Sequence, residues 1–199
     1  MNPFDIQVKV VLLGNPAVGK SSILKRFVLG NCSQDTENTV GAKFMGKLLT
    51  VGDSTVKLNI WDTAGQERYQ SFSKLYCRDA GAVILVYDVS DPESFEGMKK
   101  WYEVMSKEIL PTSSSIFIAG NKIDTLAWTC SFKQEVKDYA EEISAQECEV
   151  SAKTGVGIEE LFMEIAKNAL TKKVAPRRAS VYLTREVTKQ VGKQNKKCC

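Results

Sequence analysis

The sequence predicts an α/β fold: a mostly parallel six-stranded sheet with one antiparallel strand and helices on both faces. Three observations predict it. Apolar, β-branched runs alternate along most of the chain with segments whose apolar residues recur at helical spacing. Two neighbouring strand-like runs are separated only by Gly52-Asp53-Ser54-Thr55, which makes a hairpin and so one antiparallel strand. The first strand-like run enters a helix through a glycine-bounded loop, Gly14-Asn15-Pro16-Ala17-Val18-Gly19-Lys20-Ser21.

Taken in order, residues 8–13 (Val-Lys-Val-Val-Leu-Leu) read as a buried strand. After the glycine loop, residues 22–29 place Ile23, Leu24 and Phe27 on one helical face. Residues 30–43 have no period and many small polar side chains, an exposed loop. Residues 44–51 and 56–61 form the hairpin, and 62–73 is a second aperiodic polar stretch. Residues 82–87 are a continuous apolar run of strand length. Asp91-Pro92-Glu93 supplies an N-cap, a proline at the first helical position and an acid in the first turn. The helix that follows turns Phe95, Met98, Tyr102, Met105 and Ile109 to the core and stops before Pro111. A strand over 115–120, a helix over 132–143 and a short strand over 147–150 come next. The last helix starts near Gly157, with Ile158, Leu161, Phe162, Ile165 and Ala169 on one face. Residues 172–197 mix Lys, Gln, Asn and Thr without an apolar period and read as a flexible tail. The expected organisation is one domain over 1–170 and a basic tail over 171–199.

Composition narrows the classes. With 43% hydrophobic residues in 199, the chain can bury a substantial core. Met1-Asn2-Pro3-Phe4-Asp5 has neither the basic start nor the apolar run of a signal peptide, and Asn2 stands where myristoylation needs glycine. No apolar stretch approaches the ~20 residues of a membrane span. The chain has no histidine, which removes every imidazole-based catalytic scheme. Cys32, Cys77, Cys130 and Cys148 are scattered without zinc-ligand spacing and read as reduced thiols of a cytosolic protein. Nine basic residues and one acid fall within 171–199, although the whole chain carries only +3. An acidic body with a basic tail argues against a nucleic-acid-binding domain and for a globular unit with an electrostatic appendage.

The glycine loop matches G-x-x-x-x-G-K-[ST] between a strand and a helix, the setting in which that pattern binds phosphate. Its glycines allow successive N–H groups to face phosphate oxygens, and the helix adds its positive end. Lys20 would reach the β- and γ-phosphates, and Ser21 would place its hydroxyl on Mg²⁺. Four more stretches at strand ends suit a nucleotide. Asp62 follows a strand and can hold Mg²⁺ through its water shell; Gly65 can donate its N–H to the γ-phosphate, and Gln66 can orient an attacking water. Thr39, in the first loop, can bring its hydroxyl to Mg²⁺ and its N–H to the γ-phosphate only while that phosphate is present, so both loops would order with triphosphate and slacken after hydrolysis. The Asp124 carboxylate can accept two parallel bonds from guanine N1–H and its 2-amino group, which adenine does not offer. Asn121 can meet the other edge of the base, and the Lys122 stem can cover the ring. In Ser151-Ala152-Lys153 a backbone N–H can reach the guanine carbonyl.

These five stretches resemble the nucleotide motifs of the Ras superfamily of small GTPases, which have a P-loop NTPase-type fold, and within it of the Rab family. The resemblance covers about residues 6–170 and the last two positions. It implies a GTP-hydrolysing switch in membrane traffic, with GTP, GDP and Mg²⁺ as ligands. It implies nucleotide contacts from Gly14, Ala17, Val18, Gly19, Lys20, Ser21, Ser22, Thr39, Asp62, Gly65, Asn121, Lys122, Asp124, Ser151, Ala152 and Lys153. Lys20 and Gln66 would be catalytic, and Ser21, Thr39 and Asp62 metal-holding. Phe44, Trp61 and Tyr76 match the aromatic trio of the Rab effector surface. Cys198-Cys199 resembles a doubly prenylated end. The implied partners are effectors, an exchange factor, an activating protein that supplies an arginine, a GDP-dissociation inhibitor and the prenylation machinery. The implied place is the cytoplasm, with reversible anchoring to the cytoplasmic face of intracellular membranes. The segments 39–44 and 54–57 most resemble the endosomal branch.

Two positions depart from the pattern. Cys32 stands where Rabs commonly carry an aromatic against the guanine, which predicts faster nucleotide release. Pro16 stands where the family has a small residue; it removes an N–H from the phosphate loop and sets a ring near Gln66. That leaves a second reading open, a nucleotide-binding module with little hydrolysis. A third, an ATP-dependent enzyme, is disfavoured by Asp124.

Overall fold

The computed structural model describes residues 3–30, 42–63, 75–125 and 132–172. Its elements are β1 (Ile6–Leu13), α1 (Lys20–Leu29), β2 (Ala42–Val51), β3 (Ser54–Thr63), β4 (Ala82–Asp88), α2 (Pro92–Glu108), β5 (Ser115–Asn121), α3 (Lys133–Glu142), β6 (Gln146–Glu149) and α4 (Ile158–Thr171). One six-stranded sheet runs in the order β2-β3-β1-β4-β5-β6. Every pairing is parallel except β2 with β3.

Alternation along β1 divides the core. Val8, Val10 and Leu12 face one layer with Ile23, Leu24 and Phe27 of α1 and Ile158, Leu161, Phe162 and Ile165 of α4. Val11 and Leu13 face the other, with Phe95, Met98, Trp101 and Met105 of α2 and Val136 and Ala140 of α3. A strand covered on both faces reads as a continuous apolar run, and β4 is buried along its whole length. Phe27 stacks on Phe162 with ring centroids 3.8 Å apart, which locks α1 to α4.

The hairpin strands are longer than their apolar alternation predicts, and the turn shrinks to Gly52 and Asp53. Pairing continues through Thr50 with Thr55 and Val51 with Ser54, and Asp5 pins the far side by accepting from the Thr55 N–H at 2.7 Å. Gly52 supplies the positive φ of 59° that the tight turn needs. The cap expected for α2 is present: Asp91 accepts from the N–H groups of Glu93 at 3.0 Å and Ser94 at 3.3 Å. On that helix Trp101 is buried, whereas Tyr102, and Ile109 just past the helix end, both expected in the core, are only partly covered. Trp101 lies three residues after Met98 and four before Met105, squarely on the inward stripe.

Cys77 and Cys148 carry free thiols. Burial pushes them up to about 12 and about 11 respectively, so neither is a nucleophile at neutral pH. No helix of the described residues is long and apolar enough to cross a membrane.

Candidate functional site

Ligands of open α/β sheets sit at the carboxyl ends of the strands, where the strand order reverses. Here that point is the end of β1, flanked by β3 and β4. Five turns meet along this edge: Gly14 to Lys20 after β1, Asp62 near the end of β3, Asp88 at the end of β4, Asn121 to Asp124 at the end of β5, and Ser151 to Lys153 just past β6.

The loop after β1 takes positive φ at Gly14 (144°), Ala17 (62°) and Gly19 (98°). Residues of this kind turn backbone N–H groups inward into an anion-binding concavity. Two glycines are required by packing as well. A Cβ on Gly14 would lie 2.2 Å from the Val86 carbonyl oxygen, and one on Gly19 would lie 2.2 Å from Asn121 Nδ2. Val18 is buried in the core, and Pro16 is exposed at the tip of the loop.

Lys20 opens α1 and folds back over the loop. Its Nζ donates to the carbonyl oxygens of Gly14 and Asn15, both at 2.8 Å. Burial pushes its ammonium down to about 8, against the attraction of Asp62. Ser21 Oγ donates to Asp62 Oδ2 at 2.5 Å. Asp62 is fully buried, and its Oδ1 has no partner among the described residues. Burial raises the Asp62 carboxyl above its usual range; the Ser21 bond and then the charges of Lys20, Lys43 and Lys25 oppose that rise.

Asn121 has a task beyond the base edge expected for it. Its Nδ2 donates to the Val18 carbonyl at 2.8 Å, and its Oδ1 accepts from the Ala152 N–H at 3.1 Å. One side chain thus joins the loop after β1, β5 and the turn after β6. Asp124 is positioned by Ser151, whose Oγ donates to Oδ1 at 2.6 Å, and Lys153 Nζ lies 3.5 Å from Oδ2. The Ser151 bond first, and then the Lys153 contact, hold the Asp124 carboxyl below its ordinary value despite slight desolvation.

Lys122 is held by a residue the sequence reading did not single out. Its Nζ lies 2.7 Å from Asp88 Oδ2, and its backbone sits at a φ of 71°. Burial works to raise the Asp88 carboxyl, but the bonds from Lys122 and Ser90 outweigh it and hold the group low. A signal existed: Asp88 directly follows an apolar run, as Asp62 follows the third strand's Trp61. Arg26 of α1 is the other unanticipated residue. It donates to the carbonyls of Ala152 (2.8 Å), Gly30 (3.1 Å) and Lys153.

Away from these turns, Phe44, Trp61 and Tyr76 form one aromatic row. The Phe44 and Trp61 rings are 5.1 Å apart and tilted, and those of Trp61 and Tyr76 are 5.0 Å apart and stacked. Phe44 is 52% exposed, and Leu75 beside Tyr76 is 60% exposed. Thr39, Gly65, Gln66, Cys32, Cys198 and Cys199 lie outside the described residues.

The arrangement combines an anion cradle, a buried carboxylate–hydroxyl pair and a second carboxylate that can face a base. The Ras family model matches residues 9–171. The Ras-related protein Rab-5A of Dictyostelium discoideum is 42% identical over 194 residues, 97% of this chain and 96% of that protein. Together these matches place the chain in the Ras family, among the Rab small GTPases, and make it a GTP-hydrolysing enzyme.

Proposed function

We propose that the chain is a lipid-anchored GTP switch that recruits effectors to endosomal membranes during vesicle traffic. The observation that carries the nucleotide part is the Asn121 bridge, which ties the phosphate cradle to the two base turns. Gly14, Ala17, Val18, Gly19, Lys20, Ser21 and Ser22 form the phosphate end. Asp124 accepts guanine N1–H and the 2-amino group. The Ser151 N–H is taken by Val156 and the Ala152 N–H by Asn121, so the Lys153 N–H is the donor of that turn assigned to the guanine carbonyl.

The donor set fits Mg²⁺. A hard dication takes oxygen ligands, and Asp62 presents a buried carboxylate with one orphaned oxygen beside the Ser21 hydroxyl. A cation there would also remove the cost of burying the charged carboxylate. Ser21 and Asp62, with Thr39 from the first loop, are the residues that would hold it. Bound there, the metal would supply neutralising positive charge to the nucleotide phosphates. Lys20 adds a second positive charge, and Gln66 orients the attacking water.

The hydrolytic role of Gln66 is tested by single-turnover assays of bound GTP. Turnover of the unmodified chain should be slow, on the order of 10⁻⁴ s⁻¹, and rise by orders of magnitude with a Rab-activating domain that supplies an arginine. Gln66→Leu should lose both. A chain that holds GTP without hydrolysing it even with the activating domain, and that Pro16→Gly restores, would favour the binding-module reading instead.

The aromatic row of Phe44, Trp61 and Tyr76 is the proposed effector surface. Likeness of segments 39–44 and 54–57 to the endosomal branch, with the similarity to Rab-5A, supports the compartment. Anchoring rests on Cys198 and Cys199 beside Lys196 and Lys197. Two lipid chains anchor stably where one is marginal, and each nearby lysine adds about 1 kcal/mol on an anionic surface. Mass spectrometry of protein from its native cell should show two prenyl groups; unmodified cytosolic protein would remove this part of the reading.

A further inference from the structure

We propose that Arg26 is a positioning residue for the guanine carbonyl, acting through the peptide plane between Ala152 and Lys153. The proposal rests on the guanine-binding reading and extends it to a side chain on the opposite side of the base turn.

Arg26 lies in the last turn of α1. A basic residue there ordinarily serves its own helix end, and one bond does so, from Nη1 to the Gly30 carbonyl at 3.1 Å. The other two leave the helix. Nε donates to the Ala152 carbonyl at 2.8 Å and Nη2 to the Lys153 carbonyl. The stem passes Gly155, where a Cβ would lie 3.7 Å from Arg26 Cδ. A guanidinium is planar, and its donors leave in a fixed fork, so it sets the orientation of the carbonyls it binds.

A peptide unit is rigid, and its trans N–H points opposite to its C=O. The Ala152 carbonyl and the Lys153 N–H belong to one such unit. When Arg26 draws the carbonyl towards α1, it aims the Lys153 N–H away from α1. The preceding donors of the turn are already committed, to Val156 and Asn121. The Lys153 N–H is therefore the group whose direction matters for the base carbonyl, and Arg26 holds its other end. The bond to Gly30 joins this turn to the start of the first loop, since Gly30 caps α1 and leads into residues 31–41.

The test uses the full chain with three diphosphates: GDP, 6-thioguanosine diphosphate and inosine diphosphate. The thio analogue keeps N1–H and the 2-amino group but replaces the carbonyl by a weaker acceptor. The inosine form keeps the carbonyl and lacks the 2-amino group, so it reads Asp124. Release rates are measured for the unmodified chain, for Arg26→Met, which keeps the stem and removes the fork, and for Arg26→Lys. Arg26→Met should release GDP about tenfold faster, the effect of one displaced charge-assisted network. Its preference for GDP over the thio analogue should fall towards one, while its preference for GDP over the inosine form is retained. Arg26→Lys should be intermediate, and it carries the same test if Arg26→Met fails to fold. A role confined to stability would speed release of all three equally and leave both preferences unchanged; that result, or a thio preference of one in the unmodified chain, overturns the proposal. Absence of any preference for GDP over the inosine form in the unmodified chain would instead overturn the guanine-binding reading itself.

Discussion

Asn121→Ala is expected to release bound GDP at least about a hundredfold faster and to lower unfolding stability by about 2–4 kcal/mol. The side chain is 1% exposed. Truncation leaves the Val18 carbonyl and the Ala152 N–H buried without their partner, and each such orphan costs about 1–3 kcal/mol. The phosphate loop and the base turn would then move independently, so a nucleotide spanning both loses its preorganised frame. Asn121→Asp should be no milder. It keeps the acceptor for Ala152 but sets a carboxylate oxygen against the Val18 carbonyl, where a donor stood. Release is read by stopped-flow displacement of labelled GDP and stability by urea unfolding. A release rate within threefold of the unmodified chain would show that the bridge does not hold the nucleotide. The same assay, run on Cys32→Phe, reads the expectation that Cys32 speeds release.

Gly14→Ala is expected to cost about 3 kcal/mol or more in stability and to reduce nucleotide binding in proportion. Two effects combine. The backbone at φ 144° is one that an L-residue rarely adopts. The added carbon would also lie 2.2 Å from the Val86 carbonyl oxygen. Val86 cannot retreat, because it sits in β4, buried along its length and hydrogen-bonded to strands on both sides. Gly30→Ala isolates the first effect: its φ is 73° and nothing lies within 4 Å of the added carbon. That variant should cost only about 1 kcal/mol. Urea unfolding of the two side by side checks the difference. Equal losses would mean that the close approach to Val86 carries no weight.

The turn after β1 was legible because its signal is local. Gly14, Gly19, Lys20 and Ser21 lie within eight positions, and the strand and helix that frame them announce themselves by β-branching and by a 3.6-residue period. The cap of α2 is equally local, with Asp91, Pro92 and Glu93 side by side. Where local signals competed, the reading was less sharp. Tyr102 and Trp101 are adjacent aromatics on α2, and a shift of one residue moves the inward stripe by 100°; packing against the sheet chose Trp101. Gly97, in the middle of α2, has no local rationale in a helix. It admits the side chain of Asn15, whose Nδ2 would lie 2.0 Å from an added Cβ.

Chain order and residue type were thus enough for the elements and for the turns at the strand ends, since each depends on backbone conformation or side-chain chemistry within one turn of chain. The partners that hold those pieces in register were not visible there. Arg26 meets Lys153 across 127 positions and Asn121 meets Val18 across 103. Nothing in an arginine or an asparagine says which distant carbonyl it will bind. Sheet order settled that: with β1 between β3 and β4, the ends of five strands share one edge, and only then do these donors and acceptors come within bonding distance.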